Sequence, residues 1–260
     1  MKIGIIGKGF VGSAVAASFN DVKFYDPFVL GSVYSIADLM DCHAIFVCVP
    51  TPQNPDGSCD TSLVRSSLQS LVDEQYCGLV IAKSTAPFEI YEEFAEKLEL
   101  AFVPEFLRAN SAVKDYLDSE YMIIGSKNWS VHSSTVEVLY NSDLYKLSNF
   151  RRVSIREACL VKYFANSFLA TKVSMMNEFH QLCRSVGADW GRTVESLSLD
   201  PRIGADHTQV PGPDGKFGWG GACFPKDTAS LVSIAEKNGV NLQVLKAAIN
   251  SNSKVREQNV

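Results

Sequence analysis

Along the first 150 residues, short apolar runs alternate with stretches in which apolar residues recur at helical spacing. The apolar runs predict β-strands at residues 2–6, 22–25, 44–49, 79–82, 100–103 and 121–124. Helical spacing predicts helices at residues 13–19, 88–98 and 131–140. Strands that alternate with helices form βαβ units, so the pattern predicts an α/β fold with a mostly parallel sheet in residues 1–150.

The pattern changes after residue 150. Residues 154–186 contain neither Gly nor Pro, and their apolar residues keep helical spacing throughout, which predicts one long helix. Shorter helices are predicted at residues 189–198, 226–238 and 242–257. Residues 151–260 are therefore expected to form a mostly helical second domain.

The length of the predicted helix bears on oligomeric state. A helix over residues 154–186 would be roughly 50 Å long, whereas a compact chain of this size has a radius of gyration of about 18 Å. Such a helix either spans the whole molecule or shares its apolar face with a second copy. We therefore expect a homodimer built on residues 154–186.

Composition excludes several classes of protein. The chain has 260 residues, 46% of them hydrophobic and 20% charged, which excludes a disordered or low-complexity protein. The net charge of −5 suggests no surface for nucleic acid or an anionic membrane. The longest apolar run, residues 44–49, is too short to span a bilayer. Because Gly7 and Lys8 interrupt any signal-peptide core, we expect no export and a cytoplasmic location.

Cysteine and histidine are scattered rather than clustered. The seven cysteines are widely spread without a C-x-x-C pair, and the four histidines are dispersed as well. This distribution predicts free thiols in a reducing compartment and no metal site.

The first motif with chemical meaning is Gly7-x-Gly9-x-x-Gly12, which lies directly after the first predicted strand. In such a turn the glycines allow a pyrophosphate to approach the backbone, and the following helix N-terminus favours its negative charge. Asp26 follows the first glycine by 19 residues and ends the second predicted strand, where an acid binds ribose hydroxyls and repels a 2′-phosphate. The motif indicates a Rossmann-type domain that binds NAD; the alternative is a plain turn and a surface Asp.

A second Gly-rich stretch, residues 217–223, delivers Cys223 to the start of a predicted helix, with Pro225 near its first position. The helix dipole and Lys226 would favour the thiolate, the nucleophilic form of cysteine. On the residues alone, a buried structural thiol is the stronger alternative.

Two further candidates are weaker by themselves. Lys162 and Asn166 are four residues apart and so lie on one face of the long helix; alternatively they are a solvated Lys and an Asn at a helix interface. Glu105 follows a predicted strand, at the sheet edge where α/β proteins bind ligands, although a lone Glu there is commonly a surface residue.

Taken together, these motifs resemble the UDP-glucose/GDP-mannose dehydrogenase family, NAD-dependent enzymes that oxidise a nucleotide sugar twice to a uronic acid used in polysaccharide biosynthesis. The resemblance runs almost from end to end. Its marks are residues 7–12 (GKGFVG), 48–52 (CVPTP), 56–60 (DGSCD), 83–85 (KST), 104–108 (PEFLR), 112–115 (AVKD), Lys162-x-x-x-Asn166, 177–178 (NE), 202–204 (RIG) and 218–227 (GWGGACFPKD).

The resemblance implies a role for each matching position. It implies NAD contacts for Gly7, Gly9, Phe10, Val11, Gly12, Asp26, Thr51 and Thr85. It implies nucleotide-sugar contacts for Phe106, Leu107, Lys162, Asn166, Arg202, Phe217 and Gly218, with Arg202 a candidate for contact with a partner subunit.

It also implies the catalytic groups. Cys223 matches the family's nucleophile. With this match, a catalytic thiol becomes the stronger interpretation and a buried structural thiol the weaker one. Lys162 and Asn166 match the pair that steadies the substrate oxygen, and Glu105 and Asp227 match the acid–base groups. No metal is implied.

The sequence departs from the family at two places. Ala109 stands where the family loop has a second acid, which puts the hydrolytic step in doubt. The family also continues into a third, Rossmann-like domain that holds the nucleotide, and this sequence ends at Val260, where that domain is expected to begin. Either the protein is short by nature, or it is a piece of a longer one, or another chain supplies the domain.

Three functions stay open at this point. The first is a nucleotide-sugar 6-dehydrogenase. The second is a two-electron hydroxyacid dehydrogenase of related fold, in which Cys223 would be idle. The third is a non-catalytic or regulatory subunit, which Ala109 and the absent third domain favour and the intact set of Cys223, Lys162, Asn166 and Asp227 disfavours.

Overall fold

The structure is a computed structural model, which describes residues 1–33, 35–144 and 146–257, and only the backbone at Ala109. The chain divides into two compact units. Unit 1 comprises residues 1–54 and 59–162, and unit 2 comprises residues 55–58 together with the chain from residue 163 onward.

Unit 1 is built on a sheet of seven strands in the order β2-β1-β3-β4-β5-β6-β7. All neighbouring strands pair in parallel except β5 and β6, which are antiparallel. The strands are β1 (Ile3–Ile6), β2 (Val22–Tyr25), β3 (Ala44–Val47), β4 (Leu79–Ala82), β5 (Glu99–Phe102), β6 (Tyr121–Ser126) and β7 (Asn149–Val153).

The central strands of this sheet are apolar on both faces. Every residue of β1, β3 and β4 is buried, as expected for parallel strands that helices cover on two sides. Side chains such as Ile5, Phe46 and Ile81 form the main core with residues of the flanking helices. The carboxyl ends of β1, β3 and β4 therefore lie side by side at one buried edge of the sheet.

The helices of unit 1 follow the strands in sequence. They are α1 (Phe10–Ala16), α2 (Ser62–Asp73), α3 (Phe88–Phe94), α4 (Ala112–Leu117) and α5 (Trp129–Tyr140), with short 3₁₀ turns at Ile36–Leu39 and Ala109–Ser111. α1 begins at Phe10, immediately after Gly9, which is three residues earlier than the sequence predicts. α2 was not predicted, although its buried residues Val64, Leu68 and Leu71 have helical spacing between many serines.

The sheet also extends further than predicted. β7 has the polar sequence NFRRV and only partly buried positions, so no apolar run marks it, yet it pairs with β6 along its whole length. Unit 1 accordingly runs past the predicted boundary near residue 150 and ends at Lys162.

Unit 2 is helical. The long helix α6 (Ile155–Ser185) begins in unit 1 and continues through unit 2, and it is followed by α7 (Trp190–Ser198), α8 (Phe224–Lys237) and α9 (Gln243–Glu257). These four helices confirm the predicted ones to within two residues at each end. Trp219, from the loop before α8, packs with Ala170 and Val173 of α6 in a small core of this unit.

Large apolar side chains on α6 remain exposed. Phe164, Phe168, Met175, Phe179 and Leu182 are each at least 40% exposed. In the part of the chain that the structure describes, every helix is too short or too polar to span a lipid bilayer. Among the same residues, no three His, Cys, Asp or Glu side chains are grouped so that they could hold a metal ion.

Candidate active site

The Gly-rich turn connects β1 to α1 with almost no space to spare. A Cβ atom on Gly12 would lie 2.0 Å from the carbonyl oxygen of Gly7, so a larger residue cannot occupy this position without moving the turn. A Cβ atom on Gly9, by contrast, would meet nothing within 4 Å. The turn is therefore tightly packed at Gly12 and has free space at Gly9, next to the N-terminus of α1. Free space beside a helix N-terminus suits the binding of a phosphate.

Asp26 is fixed against this turn from the end of β2. The backbone N–H of Lys8 donates to Asp26 Oδ2 over 2.8 Å, and the backbone N–H of Phe28 donates to Oδ1 over 3.0 Å. The carboxylate is thus held beside the turn by two main-chain hydrogen bonds. The structure therefore brings Asp26 and the glycines together in unit 1.

Thr51 and Thr85 lie at the same edge of the sheet. Both are buried, and they follow β3 and β4, whose carboxyl ends are neighbours. A cleft of about 730 Å³ lies between the first turn of α1 and the segment around α4; its lining includes Phe10, Ser13 and Val113. The predicted cofactor residues thus follow the carboxyl ends of neighbouring strands, and one of them, Phe10, lines the cleft.

Glu105 and Lys162 form a buried ion pair within unit 1. Lys162 Nζ lies 3.1 Å from Glu105 Oε1 and donates to the backbone carbonyl of Glu105 over 2.5 Å. The backbone N–H of Leu107 donates to Glu105 Oε2 over 2.7 Å, and the Phe106 ring lies 5.3 Å from the ammonium. Neither side chain is more than 6% exposed, so the solvated alternatives for Lys162 and Glu105 are wrong.

A second buried lysine was not predicted from the sequence. Lys83 continues β4, is 1% exposed, and its Nζ has no hydrogen-bond partner. The ammonium lies 5.2 Å from the ring centre of Tyr116, whose hydroxyl is also buried without a partner. Burial lowers the pKa of Lys83 to about 8 and raises the pKa of the neighbouring Cys48 thiol to about 12.

The position of Lys83 in the sequence could have indicated that it lies near the site. A lysine that ends a fully apolar strand and precedes two hydroxyl residues lies at the ligand-binding edge of a parallel sheet.

In unit 2, Cys223 occupies the N-cap position of α8, and Pro225 lies in its first turn, as predicted. Asp227 is also in that first turn and is 1% exposed. Its Oδ2 accepts a 2.6 Å hydrogen bond from Asn166 Nδ2, and its Oδ1 lies 2.5 Å from Lys226 Nζ. Asp227 is therefore a buried carboxylate held on both sides, four residues after the proposed nucleophile.

Apart from Asn166 on α6, the predicted substrate contacts of unit 2 lie in two loops. The Phe217 ring is 5.5 Å from the ring of His180, and the N–H of Gly218 donates to Asn177 Oδ1 over 2.9 Å. Arg202 is exposed and pairs with Asp200 at 2.6 Å.

The loop that carries Arg202 is tied to α6. Lys172 Nζ donates to the carbonyls of Ile203, Gly204 and Asp206, over 2.8, 3.3 and 2.5 Å. One ammonium thus fixes the backbone of this loop, and no motif in the sequence pointed to Lys172.

Two domain models of one family match this chain. The NAD binding domain of the UDP-glucose/GDP-mannose dehydrogenase family matches residues 32–143, and the central domain of the same family matches residues 156–254. The chain belongs to the UDP-glucose/GDP-mannose dehydrogenase family. Since its first unit contains the NAD binding domain of that family, NAD is its cofactor.

Individual family members are similar over nearly the whole chain. UDP-glucose 6-dehydrogenase AglM of Haloferax volcanii is 29% identical, over 97% of this chain and 69% of its own length. A UDP-glucose 6-dehydrogenase of Pseudomonas aeruginosa is 31% identical, over 99% of this chain and 66% of its own length. The structure of a UDP-glucose dehydrogenase from Pyrobaculum islandicum matches 97% of this chain and 68% of that one, with a TM-score of 0.86 and 27% identity. This chain thus spans about two thirds of the length of these relatives.

Proposed function

We propose that this protein oxidises a nucleotide sugar at C6 to the uronic acid, using two molecules of NAD and a covalent intermediate on Cys223. The observation that supports this most is a pair of buried polar contacts on successive turns of α6. Lys162 is paired with Glu105, and Asn166 with Asp227, the residue one helical turn after Cys223. Burying a cation, an amide and two carboxylates costs free energy that their pairing offsets only in part, and such buried polar groups are common at binding and catalytic sites.

The cofactor residues suit NAD. When bound, NAD accepts a hydride from the substrate carbon in each of two oxidations. The open space above Gly9 leaves room for the pyrophosphate at the N-terminus of α1. The carboxylate of Asp26 would accept hydrogen bonds from ribose hydroxyls and would repel a 2′-phosphate, so we expect NAD to bind more tightly than NADP.

Cys223 would act between the two oxidations. Its sulfur adds to the carbonyl carbon of the aldehyde, and the thiol proton passes to the carbonyl oxygen, which gives a thiohemiacetal. Loss of a hydride and a proton from this adduct gives a thioester. Water then cleaves the carbon–sulfur bond, which releases the acid and restores the thiol.

Lys162 and Asn166 would serve as donors to the substrate oxygen during these steps. The ammonium and the amide N–H groups each stabilise the negative charge that develops on that oxygen. Glu105 and Asp227 would accept protons and position the attacking water. Because Glu105 already binds Lys162, the same pair fixes where the ammonium points.

The exposed apolar side chains of α6 support a homodimer. Phe168 is 72% exposed and Leu182 is 60% exposed on a helix of 31 residues, and an apolar face of that length is typical of an interface. Light scattering should report a dimer at micromolar concentration. Phe168→Glu should shift the mass to that of a monomer, whereas Gln181→Glu on the same helix should not.

NADH production by the purified protein across a panel of nucleotide sugars tests the proposed activity. We expect absorbance at 340 nm to rise with at least one UDP- or GDP-linked hexose and NAD. If the protein binds NAD measurably but forms no NADH with any of these sugars, the proposed oxidation is contradicted. That result would favour a non-catalytic subunit, the alternative that Ala109 supports.

A further inference from the structure

The loop that leads to Cys223 is held by side chains from distant helices. Between Phe217 and Cys223 the chain forms no helix or strand, and Gly218 has a positive φ of 72°. The backbone of such a segment needs partners from elsewhere in the fold, because buried N–H and C=O groups are costly when unpaired. Three polar residues of α6 and α9 provide them: Asn177, Asn252 and Arg256.

Trp219 is the centre of these contacts. Its backbone N–H donates to Asn252 Oδ1 over 2.7 Å, and its carbonyl accepts from Asn252 Nδ2 over 3.0 Å. Its indole Nε1 donates to Ser174 Oγ over 2.9 Å. The residue is 6% exposed, so all of these hydrogen bonds are shielded from water.

Arg256 adds a charged contact to the same carbonyl. Its Nε donates to the Trp219 carbonyl over 3.0 Å, while Nη1 and Nη2 each lie 2.8 Å from Asp214 Oδ2. A Cβ atom on Gly220 would lie 2.5 Å from Arg256 Nη2, so the guanidinium lies directly against the backbone of Gly220. One planar group therefore joins α9, the loop that contains Asp214 and the backbone of Gly220, three residues ahead of Cys223.

We propose that Arg256 is a positioning residue that holds the Phe217–Cys223 loop, and with it the Cys223 sulfur, in place. Its effect on turnover rests on the proposed function; its effect on the position of the thiol does not.

The energetic weight lies in the contact to the carbonyl rather than in the ion pair. Asp214 is 49% exposed, and ion pairs at such sites contribute little to stability. A hydrogen bond from a charged donor to a shielded carbonyl is roughly twice as strong as a neutral one. Asp214 therefore orients the guanidinium, and the guanidinium holds the loop.

The chemical consequence concerns distance. A nucleophile must lie about 3 to 3.5 Å from the carbon that it attacks, and a shift of about 1 Å can cost roughly 100-fold in rate. Only Gly221 and Ala222 separate Gly220 from Cys223. A loop that loses the hydrogen bond at the Trp219 carbonyl would therefore move the sulfur by a distance on the order of 1 Å.

The first test measures the thiol itself and needs no turnover. Arg256→Met is treated with iodoacetamide, and mass spectrometry follows alkylation of the Cys223 peptide, with the exposed Cys77 of unit 1 as the internal reference. Cys223 is only partly exposed in the intact loop, so we expect its alkylation rate to rise at least fivefold. In a plot of alkylation rate against pH, the plateau should be higher in Arg256→Met while the midpoint stays unchanged, because the loop controls access to the sulfur.

Matched variants separate the contact from the charge. Lys254→Met removes one cation from an exposed position of the same helix and should leave the rate within twofold of wild type. Asp214→Asn should give a rise smaller than that of Arg256→Met. Gly220→Ala retains Arg256 but pushes the guanidinium away, and it should reproduce the Arg256→Met effect even if that variant folds poorly.

Kinetics supply the second readout. Arg256→Met should lower kcat about 10- to 100-fold without changing the affinity for NAD, and Arg256→Lys should restore part of the loss. The proposal is overturned if Arg256→Met and Gly220→Ala both leave Cys223 alkylation within twofold of Lys254→Met, or if only the midpoint of the pH profile moves. An inactive wild type would refute the proposed function, while the alkylation result would still decide the role of Arg256.

Discussion

Two Gly-rich turns each precede a helix in this protein, and they are stabilised in opposite ways. The turn from Gly7 to Gly12 is held by backbone packing, of Gly12 against the Gly7 carbonyl and of Gly7 against the backbone of Cys48, and by Asp26 at the end of the adjacent strand. The loop from Phe217 to Cys223 is held by side chains that lie 33 to 41 residues away in sequence.

The difference shows what each turn is suited to do. A turn in which Gly7 and Gly12 pack against neighbouring backbone offers main-chain N–H groups at a rigid helix N-terminus, which suits a dinucleotide. A loop held by side chains of α6 and α9 depends on those side chains for its position, which suits our proposal that it places the Cys223 sulfur. The predictions below probe the two turns separately.

The largest effect is expected at the second loop. Cys223→Ala removes the only group proposed to form a covalent bond with the substrate, so oxidation to the acid should fall by at least about 10³-fold. Product analysis by chromatography measures this. Cys77→Ala, which removes an exposed thiol from unit 1, should retain full activity. An acid yield near wild type in Cys223→Ala would mean that the loop carries no nucleophile.

The next effect concerns hydrolysis of the thioester. If the missing acid at position 109 normally assists the attacking water, its absence should slow this step by about 10²-fold, since Glu105 and Asp227 remain. Acyl-Cys223 should then accumulate, and mass spectrometry of quenched reactions should detect it. Ala109→Glu should raise turnover and reduce the adduct. If no adduct builds up and the variant changes nothing, or changes only NAD affinity, hydrolysis does not depend on this position.

The first turn can be probed by comparing two glycines. Gly9→Ala places a methyl group in open space, so the melting temperature should not change, but NAD should bind roughly tenfold more weakly, about 1.4 kcal/mol. Gly12→Ala pushes against the Gly7 carbonyl and should lower both the affinity and the melting temperature. Isothermal titration and thermal unfolding separate the two cases. Unchanged NAD affinity in Gly9→Ala would place the pyrophosphate elsewhere.

The last effect concerns stability rather than activity or NAD binding, and it arises at Lys83, whose buried Nζ has no hydrogen-bond partner. Its pKa is lowered from 10.5 to about 8 by burial, so between these pH values the unfolded chain binds a proton that the folded chain does not. The free energy of unfolding should therefore rise with pH across this window. Below about pH 8 the folded state carries the full cost of the buried charge, about 3 kcal/mol.

Replacing this lysine should consequently stabilise the protein. Lys83→Met should raise the melting temperature at pH 7 by several degrees and abolish the rise in stability between pH 8 and 10.5. Lys97→Met, at an exposed position of unit 1, should change stability by less than about 0.5 kcal/mol. A lower melting temperature for Lys83→Met at pH 7 would show that the ammonium is stabilised by its surroundings.

Local patterns predicted most of this fold. Apolar runs identified six of the seven strands, and uninterrupted helical spacing identified α6 closely. β7 was missed because its side chains are polar and only half-buried, so its place in the sheet depends on pairing with β6. The glycine spacing and Asp26 predicted a tight turn next to the end of β2, which the structure contains; that NAD binds there stays a prediction.

The second loop shows where such prediction ends. The Gly-rich loop and the helical spacing singled out Cys223, Lys162 and Asn166, and the family resemblance gave them their expected roles. No spacing connects Trp219 to Asn252 or Arg256, which are brought together only by the packing of the loop and α9. Lys83 is similar, because its burial depends on Tyr116 and on the ends of three strands.

The ratio of NADH formed to uronic acid formed tests the central claim most directly. The purified protein is incubated with NAD and the nucleotide sugar that it accepts, and both products are quantified over the same interval. A nucleophilic Cys223 that retains the substrate between two oxidations predicts two NADH for each acid, with no free aldehyde detected. One NADH for each molecule of product, with an aldehyde or ketone released, would contradict the claim and identify a two-electron dehydrogenase.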